Sequence, residues 1–246
     1  MELEEYVIMY RVEDGHWWYL GMKAITLGLL DKYVGRGRKL DILDAGCGTG
    51  AVMRYMAPFG TVTGVDSSPA ALEFCRQRGA GNLVQSSILA MPFDDSSFDL
   101  ITSFDVLSEC GLEKDEIGMR EFLRVLRPGG QLLLRLPAYR WLRGKHDEKV
   151  HTRHRFTKGE LSGKLRNAGY EVQHTSYANT ILFPIALAKR MSEKIFPPKQ
   201  EGSDLTIPTG FSNSVFQALL TAEGPLIRTI GMPFGLTAIA LARKRW

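Results

Sequence analysis

The sequence predicts an α/β fold in which helices cover both faces of a mostly parallel sheet. A short apolar run that begins at Leu40 ends in a turn with three glycines on alternate positions. A second β-rich run ends at Asp66, and 66 − 46 = 20 residues separate it from Gly46. Strand-like and helical segments then alternate along the chain, and this alternation is typical of parallel sheets with crossover helices.

The first element is the strand and turn of Leu40–Gly50, with the sequence LDILDAGCGTG. Gly46, Gly48 and Gly50 can adopt positive φ, and without a Cβ they let the backbone approach a ligand closely. Dinucleotide-binding turns use the spacing G-x-G-x-x-G around a pyrophosphate, whereas this turn reads G-x-G-x-G behind an acid. The pattern indicates a cofactor loop, and a plain turn between strand and helix is the alternative.

The second element ends in Asp66, at the interval where doubly wound folds place a carboxylate on ribose hydroxyls. One carboxylate can accept hydrogen bonds from both hydroxyls. A helix N-cap is the alternative role for this acid, but Ser68 can serve as the cap and Pro69 as the first helical residue. Asp66 is then expected to bind the ligand.

The remaining elements follow from periodicity, caps and breakers. Helices are predicted at 51–58, 69–78, 115–126 and 157–168, and strands at 82–87, 98–104, 131–136, 170–177 and 235–244. Ligands of such sheets bind at the carboxyl ends of the strands. Ser87, Ile88 and Phe104 are therefore expected on the same rim as Gly46.

Two segments lie outside this core. Residues 1–39 are predicted to form an N-terminal helical lid, in which His16, Trp17 and Tyr19 are candidates for covering the cofactor. Residues 180–233 are an insertion before the last strand, read as short helices with stiff turns at Pro197, Pro198 and Pro208, and as a substrate lid. Residues 40–179 and 234–246 form the predicted core.

Composition limits the class of protein. The chain has 246 residues, a net charge of +4 and 44% hydrophobic residues, as in ordinary globular proteins. The charge is spread out, so no nucleic-acid partner is expected. The three cysteines lack metal-ligand spacing, and no apolar run reaches the roughly 20 residues of a membrane span, so a soluble cytoplasmic protein is expected.

The motifs DAGCGTG, GVDSSP, MPFDDSSFDLITSFDVL and EFLRVLRPGG, within residues 40–130, together resemble class I S-adenosylmethionine (SAM) dependent methyltransferases. The resemblance extends to the broad group that includes the ubiquinone and menaquinone biosynthesis enzymes. It implies a Rossmann-like, seven-stranded sheet of order 3-2-1-4-5-7-6 with the last strand antiparallel, and SAM as cofactor. The implied cofactor contacts, with the aromatic candidates added, are Asp44, Ala45, Gly46, Gly48, Asp66, Ser67, Ser87, Ile88, Phe104, Trp17 and Tyr19.

Two positions depart from these relatives. Many carry an aspartate near Ser87 for the adenine amino group, and serine there implies a weaker or backbone contact through Ile88. Relatives often read Leu-Glu-His after the fourth strand, whereas this chain has Leu107-Ser108-Glu109. No histidine can act from that place.

Candidates for chemistry are concentrated after the fifth strand. A base is required only if the nucleophile arrives protonated. His146, His151 and Tyr139 are the catalytic candidates, and Arg153, His154 and Arg155 are expected to bind the substrate. A metal site built from His146, Asp147, His151 and His154 is a less favoured alternative, so no metal is expected.

These observations predict a methyltransferase that moves a methyl group from SAM to an O or N atom of a small or lipid-linked acceptor. Peripheral membrane contact and a monomeric or dimeric state stay open. The alternatives are a non-catalytic SAM-binding regulatory or partner protein and, less favoured by the glycine spacing, a nicotinamide dehydrogenase.

Overall fold

A computed structural model describes residues 1–35, 37–111, 114–195 and 210–246. Its centre is one seven-stranded sheet of order β3-β2-β1-β4-β5-β7-β6. The strands are β1 Leu40–Ala45, β2 Gly60–Asp66, β3 Leu83–Gln85, β4 Phe98–Phe104, β5 Leu126–Pro137, β6 Tyr170–Ala178 and β7 Thr237–Lys244. The order predicted from the family resemblance is confirmed.

Strands β1 to β5 pair in parallel, and β7 runs antiparallel to both β5 and β6. Every residue of β4 is buried, as expected of a central strand covered on both faces. Strand β5 begins earlier than predicted, because the stretch from Arg127 to Gly130 stays extended beside β4, with a shift of register between Phe98 and Leu100.

Helices cover both faces of the sheet. They are α1 Leu3–Val12, α2 Trp17–Tyr33, α3 Ala51–Met56, α4 Pro69–Gln77, α5 Leu107–Cys110, α6 Lys114–Val125, α7 Lys145–Lys149, α8 Lys158–Asn167, α9 Phe183–Ile195, α10 Phe211–Ala222 and α11 Gly224–Thr229. The predicted capping box of α8 is present, since Thr157 Oγ1 accepts from Glu160 N at 3.2 Å and the Glu160 carboxylate accepts from Thr157 N at 3.4 Å.

Parts of the two outer segments, which are predicted to be lids, pack against the sheet. Met22, Ile25 and Leu29 of α2 lie in a core cluster with the sheet, and Leu220 of α10 and Ile227 of α11 belong to the same cluster. Helices α2, α10 and α11 therefore pack against one face of the sheet. The predicted turns at 197, 198 and 208 lie outside the described residues.

Candidate functional site

A cavity of about 990 Å³ opens at the carboxyl ends of the parallel strands. The turn after β1, the ends of β2 and β4, and the segment after β3 form one half of its wall. Side chains from α1, from the start of α2, and from α7 and α9 form the other half. The volume lies at the upper end of the usual range for ligand sites, which is enough for a cofactor and part of a second molecule.

The glycine turn adopts the conformation that its sequence predicts. Gly46, Gly48 and Gly50 have φ of +81°, +53° and +88°. The backbone N–H of Gly46 donates to Val65 O at 2.7 Å, which fixes the turn against β2. A Cβ on Gly46 would lie 2.1 Å from Val106 Cγ2, so close approach and positive φ both require glycine there.

Asp66 lines the cavity and is less free than the sequence predicted. Its Oδ2 accepts from Gly48 N at 3.0 Å, and its Oδ1 accepts from Ser68 N at 2.9 Å. Burial raises the pKa of this carboxyl above its ordinary value, while the backbone donors at Ser68 and Gly48 oppose the rise. A carboxylate offers about four acceptor positions, so these backbone donors leave room for a ribose hydroxyl. Ser68 caps α4 as predicted, accepting from Ala71 N at 3.3 Å.

Asp44, at the end of β1, carries a buried oxygen that no described group contacts. Its Oδ1 accepts from Thr102 Oγ1 at 2.8 Å, and its Oδ2 has no hydrogen-bond partner among the described residues. Burial raises the pKa of Asp44 to about 7, and the Thr102 hydrogen bond opposes that rise. An unpartnered buried acceptor at a cavity wall fits a ligand with a donor or a positive charge, and the amino-acid end of SAM has both.

Most of the other predicted cofactor residues lie in the cavity wall, and one lies beneath it. Ser67, Ser87, Ile88, Phe104, Trp17 and Tyr19 all line the cavity, as does His16. Ala45 is fully buried beneath the turn and is not part of the wall. His16 also has a structural role, because it caps α2 by accepting from Trp18 N at 3.2 Å.

Helix α1 is attached by contacts that span the chain and that the sequence did not predict. The carboxylate of Glu13 is buried and accepts from the Thr49 hydroxyl and from Arg78 Nη2, the latter at 2.8 Å. Arg78 also donates to Asp14 Oδ2 at 2.6 Å and to Tyr10 O at 2.9 Å. These contacts hold the end of α1 against the glycine turn and α4.

A second charged pair lies at the boundary between the two halves of the cavity. Nε and Nη2 of Arg135, on β5, donate to Asp105 Oδ2 at 3.1 and 3.0 Å. The guanidinium lies between the rings of Trp18 and Phe104, at 4.8 and 4.4 Å from their centroids. The cation therefore fixes the start of α2 to the ends of β4 and β5. In the sequence, the only indication of a role for Arg135 was its charge inside the apolar run QLLLRL.

His146 lies on α7 and lines the cavity, and its Nδ1 is buried without a hydrogen-bond partner among the described residues. Helix α7 is held by Asp147, which accepts from Arg155 Nε at 2.8 Å and Nη2 at 3.1 Å and from Gly144 N at 2.7 Å. Arg155 Nη1 donates to Ala138 O at 2.9 Å, which ties the pair to the end of β5. Arg155 thus reaches the cavity, with most of its donors engaged in positioning α7.

The other candidates of this segment lie at the rim or outside. His151 lines the cavity but is exposed, with Nδ1 3.1 Å from the amino nitrogen of Met1. Tyr139, Arg153 and His154 are not part of the cavity wall. His154 is buried, with Nε2 2.6 Å from Glu160 Oε1, and Tyr139 stacks on Tyr177 at 5.1 Å. These contacts give both side chains structural roles outside the cavity wall.

Among the residues that the structure describes, no group of three or more His, Cys, Asp or Glu side chains could hold a metal ion. No helix in the same part of the chain is both long and apolar enough to cross a membrane. His146, Asp147, His151 and His154 therefore do not form the metal cluster considered as an alternative.

The strand order and the acidic, glycine-lined turn are similar to those of class I SAM-dependent methyltransferases. Residues 43–134 match the family model described as "Methyltransferase domain". S-Adenosylmethionine is the cofactor of this class, and the acceptors at Asp44 and Asp66 fit it.

Curated relatives carry several acceptor specificities. The chain is 36% identical over 132 residues to a malonyl-[acyl-carrier protein] O-methyltransferase from Enterobacter lignolyticus, covering 50% of this chain and 52% of that protein. It is 32% identical over 142 residues to the human protein named "Probable tRNA methyltransferase 9B", covering 52% of this chain and 30% of that protein. The chain thus spans about half the length of the first of these relatives and less than a third of the second.

A solved structure extends the likeness to the whole fold. The complex between the Haloferax volcanii Trm112 methyltransferase activator and a protein described as a methyltransferase contains a chain with a TM-score of 0.61 and 18% identity. The match covers 99% of this chain and 94% of that chain. At this identity the likeness concerns the fold alone.

Proposed function

We propose that this protein transfers the methyl group of SAM to an O or N atom of a small or lipid-linked acceptor. The observation that carries the proposal is that two sets of residues line one cavity. The cofactor loops form one half of its wall, and aromatic, aliphatic and histidine side chains form the other half. A protein that only bound SAM would have no need for the second half. When bound, SAM supplies an electrophilic methyl group with a good leaving group.

The chain's own residues bind the cofactor, orient the acceptor and exclude water. The turn at Gly46 and Gly48 and the carboxylates of Asp44 and Asp66 hold the cofactor in this proposal. Trp17 and Tyr19 cover it, and Leu182 and Ile185 exclude water from the acceptor half. Because the reaction is a displacement in line, holding the acceptor atom in place supplies much of the acceleration.

His146 is the base in this proposal. Its side chain lines the cavity, and its Nδ1 has no hydrogen-bond partner among the described residues. A neutral ring can accept a proton from an acceptor hydroxyl or amine. His151 is exposed at the rim and ranks second. The pair Asp147–Arg155 positions α7 and with it His146.

The class of the acceptor and the role of His146 as the base are tested in separate experiments. SAM labelled on the methyl group is incubated with the protein and with lipid, small-molecule and RNA fractions of its source cell. Label in the lipid or small-molecule fraction supports the proposal, and label in tRNA alone contradicts the acceptor class and favours a role like that named for the human relative.

The base is tested with His146→Gln once an acceptor fraction is found. We expect turnover to fall by about 10²–10⁴ with unchanged SAM affinity. His174→Gln is the matched control, because His174 Nε2 donates to Ile227 O at 2.6 Å and the side chain lies outside the cavity wall. Equal turnover of both variants would rule out His146 as base.

A further inference from the structure

The outward face of helix α9 carries a stripe of exposed apolar side chains, with Ser192 as the exposed polar residue among those described. Pro184, Ile185, Ala188 and Met191 are all exposed, and their spacing of one, four and seven residues places them along one side of the helix. Ile181 continues the stripe one turn earlier and is also exposed. The exposed fractions of Ile185 and Met191 are 61% and 57%, in a position where helices of globular proteins carry polar residues.

The inner side of the same helix closes the cavity. Leu182, Ile185 and Ala186 are part of its wall. Ile185 therefore belongs both to the cavity and to the exposed stripe, so the stripe continues into the mouth of the acceptor half. If an acceptor in the cavity carried a lipid chain, that lipid chain would leave the acceptor half at this point and pass directly onto the apolar surface.

The segment after β5 adds an aromatic ring and positive charge beside α9. Trp141 is 52% exposed, and its ring centroid lies 6.2 Å from that of Phe183 on α9. Arg140, Arg143 and Lys145 are exposed around it, and Glu148 is the exposed acid of the same segment. Exposed tryptophan, an apolar stripe and basic residues together are the composition of helices that lie in a membrane interface.

We propose that α9 and Trp141 dock this protein on an anionic lipid bilayer, from which a lipid-linked acceptor enters the cavity past Ile185. The inference rests on the proposed function, of which it selects the lipid-linked branch. A second protein or a second copy on this stripe would cover the entrance to the acceptor half, whereas a bilayer would supply the acceptor through it. The 13 residues of α9 extend for about 20 Å, enough to lie in the interface and too short to span it.

Docking is tested by co-sedimentation with phosphatidylcholine vesicles, with and without phosphatidylglycerol. We expect binding to the anionic vesicles, weakened by salt, and little binding to the neutral ones. Ile181→Glu and Met191→Glu should each weaken binding about tenfold or more, because each removes one exposed apolar side chain from the interface. Ile117→Glu on α6 is the matched control, since Ile117 is 49% exposed and lies away from the stripe.

A second readout reports the docked side chain itself. Brominated phosphatidylcholine in the vesicles should quench tryptophan fluorescence, and the quenching should be lost in Trp141→Phe. Equal vesicle binding by Met191→Glu and Ile117→Glu, or no quenching, would overturn the docking surface. A dimer in solution that Met191→Glu dissociates would assign the stripe to a second copy and overturn it as well.

SAM affinity and methylation of the acceptor fraction in detergent separate this inference from the proposed function. For Met191→Glu we expect both to be unchanged, with methylation lost only when the acceptor is presented in vesicles. Vesicle binding without any methyl transfer would contradict the proposed function and leave the docking surface in place. Methyl transfer without vesicle binding would support the proposed function and contradict the docking surface.

Discussion

The buried carboxyl of Asp44 should make the folded protein less stable as pH rises from about 4 to about 7. Its pKa is about 7 in the folded state and 3.8 when unperturbed, with burial as the main cause. Between these values the folded protein holds a proton that the unfolded chain has released. The free energy of unfolding therefore falls as pH rises through this window and becomes constant above it.

The difference of about three units corresponds to about 4 kcal/mol in full, at 1.36 kcal/mol for each unit. Between about pH 5 and about pH 8 the part that is lost is about 2–3 kcal/mol. Asp44→Asn removes the titration and keeps an acceptor for Thr102 Oγ1, which donates to Asp44 Oδ1 at 2.8 Å. The variant should therefore lose less stability than the wild type over the same interval, by about 2–3 kcal/mol.

Urea unfolding followed by circular dichroism at both pH values measures the four free energies. Burial also raises the pKa of Glu13, Asp66 and Glu109, so the wild type and the variant share that part of the pH dependence, which cancels in the double difference. A double difference near zero would show that Asp44 is ionised in the folded protein already at pH 5. A double difference of opposite sign would refute the argument from burial altogether.

Two further predictions concern the cofactor loop. Gly46→Ala should cost more than about 2 kcal/mol in urea unfolding, because its Cβ would lie 2.1 Å from Val106 Cγ2 at a φ of +81°. Gly163→Ala, in α8 with nothing within 4 Å of its Cβ, should instead stabilise by about 0.5–1 kcal/mol, and equal effects would contradict the strain argument. Asp66→Ala should weaken SAM binding by about tenfold to a hundredfold, measured by calorimetry, because the ribose loses a charged acceptor; unchanged affinity would exclude this contact.

Local signals in the sequence predicted the elements that depend on local physics. Strand β4 has the predicted bounds, Phe98–Phe104, and the capping box at Thr157 forms as written. The strand order came from the family resemblance, because pairing between distant segments leaves little trace in any one of them. The attachment of Glu13 to Arg78 joins residues 65 positions apart, and no local pattern indicated it.

The histidine-rich segment shows why part of the site could not be predicted. Neighbouring side chains of this segment point in different directions, so only some of them face the cavity. Arg155 lines the cavity, while His154 turns the other way onto Phe156, with ring centroids 4.3 Å apart. Sequence proximity identified the segment correctly but could not assign its two sides. Arg135 was missed for a different reason, since a single charge in an apolar strand was not treated as a site signal.

The two ends of the cavity differ in how salt should act on them, and this difference makes the vesicle experiment interpretable. The side chains of Arg78 and Glu13, which attach α1 at the cofactor end, are each only 6% exposed. The basic residues beside α9 are exposed to solvent. Salt screens exposed charges strongly and buried pairs weakly. Added salt should therefore release the protein from anionic vesicles while SAM affinity holds, and parallel loss of both would mean that salt opens the cofactor end rather than weakening the contact with lipid.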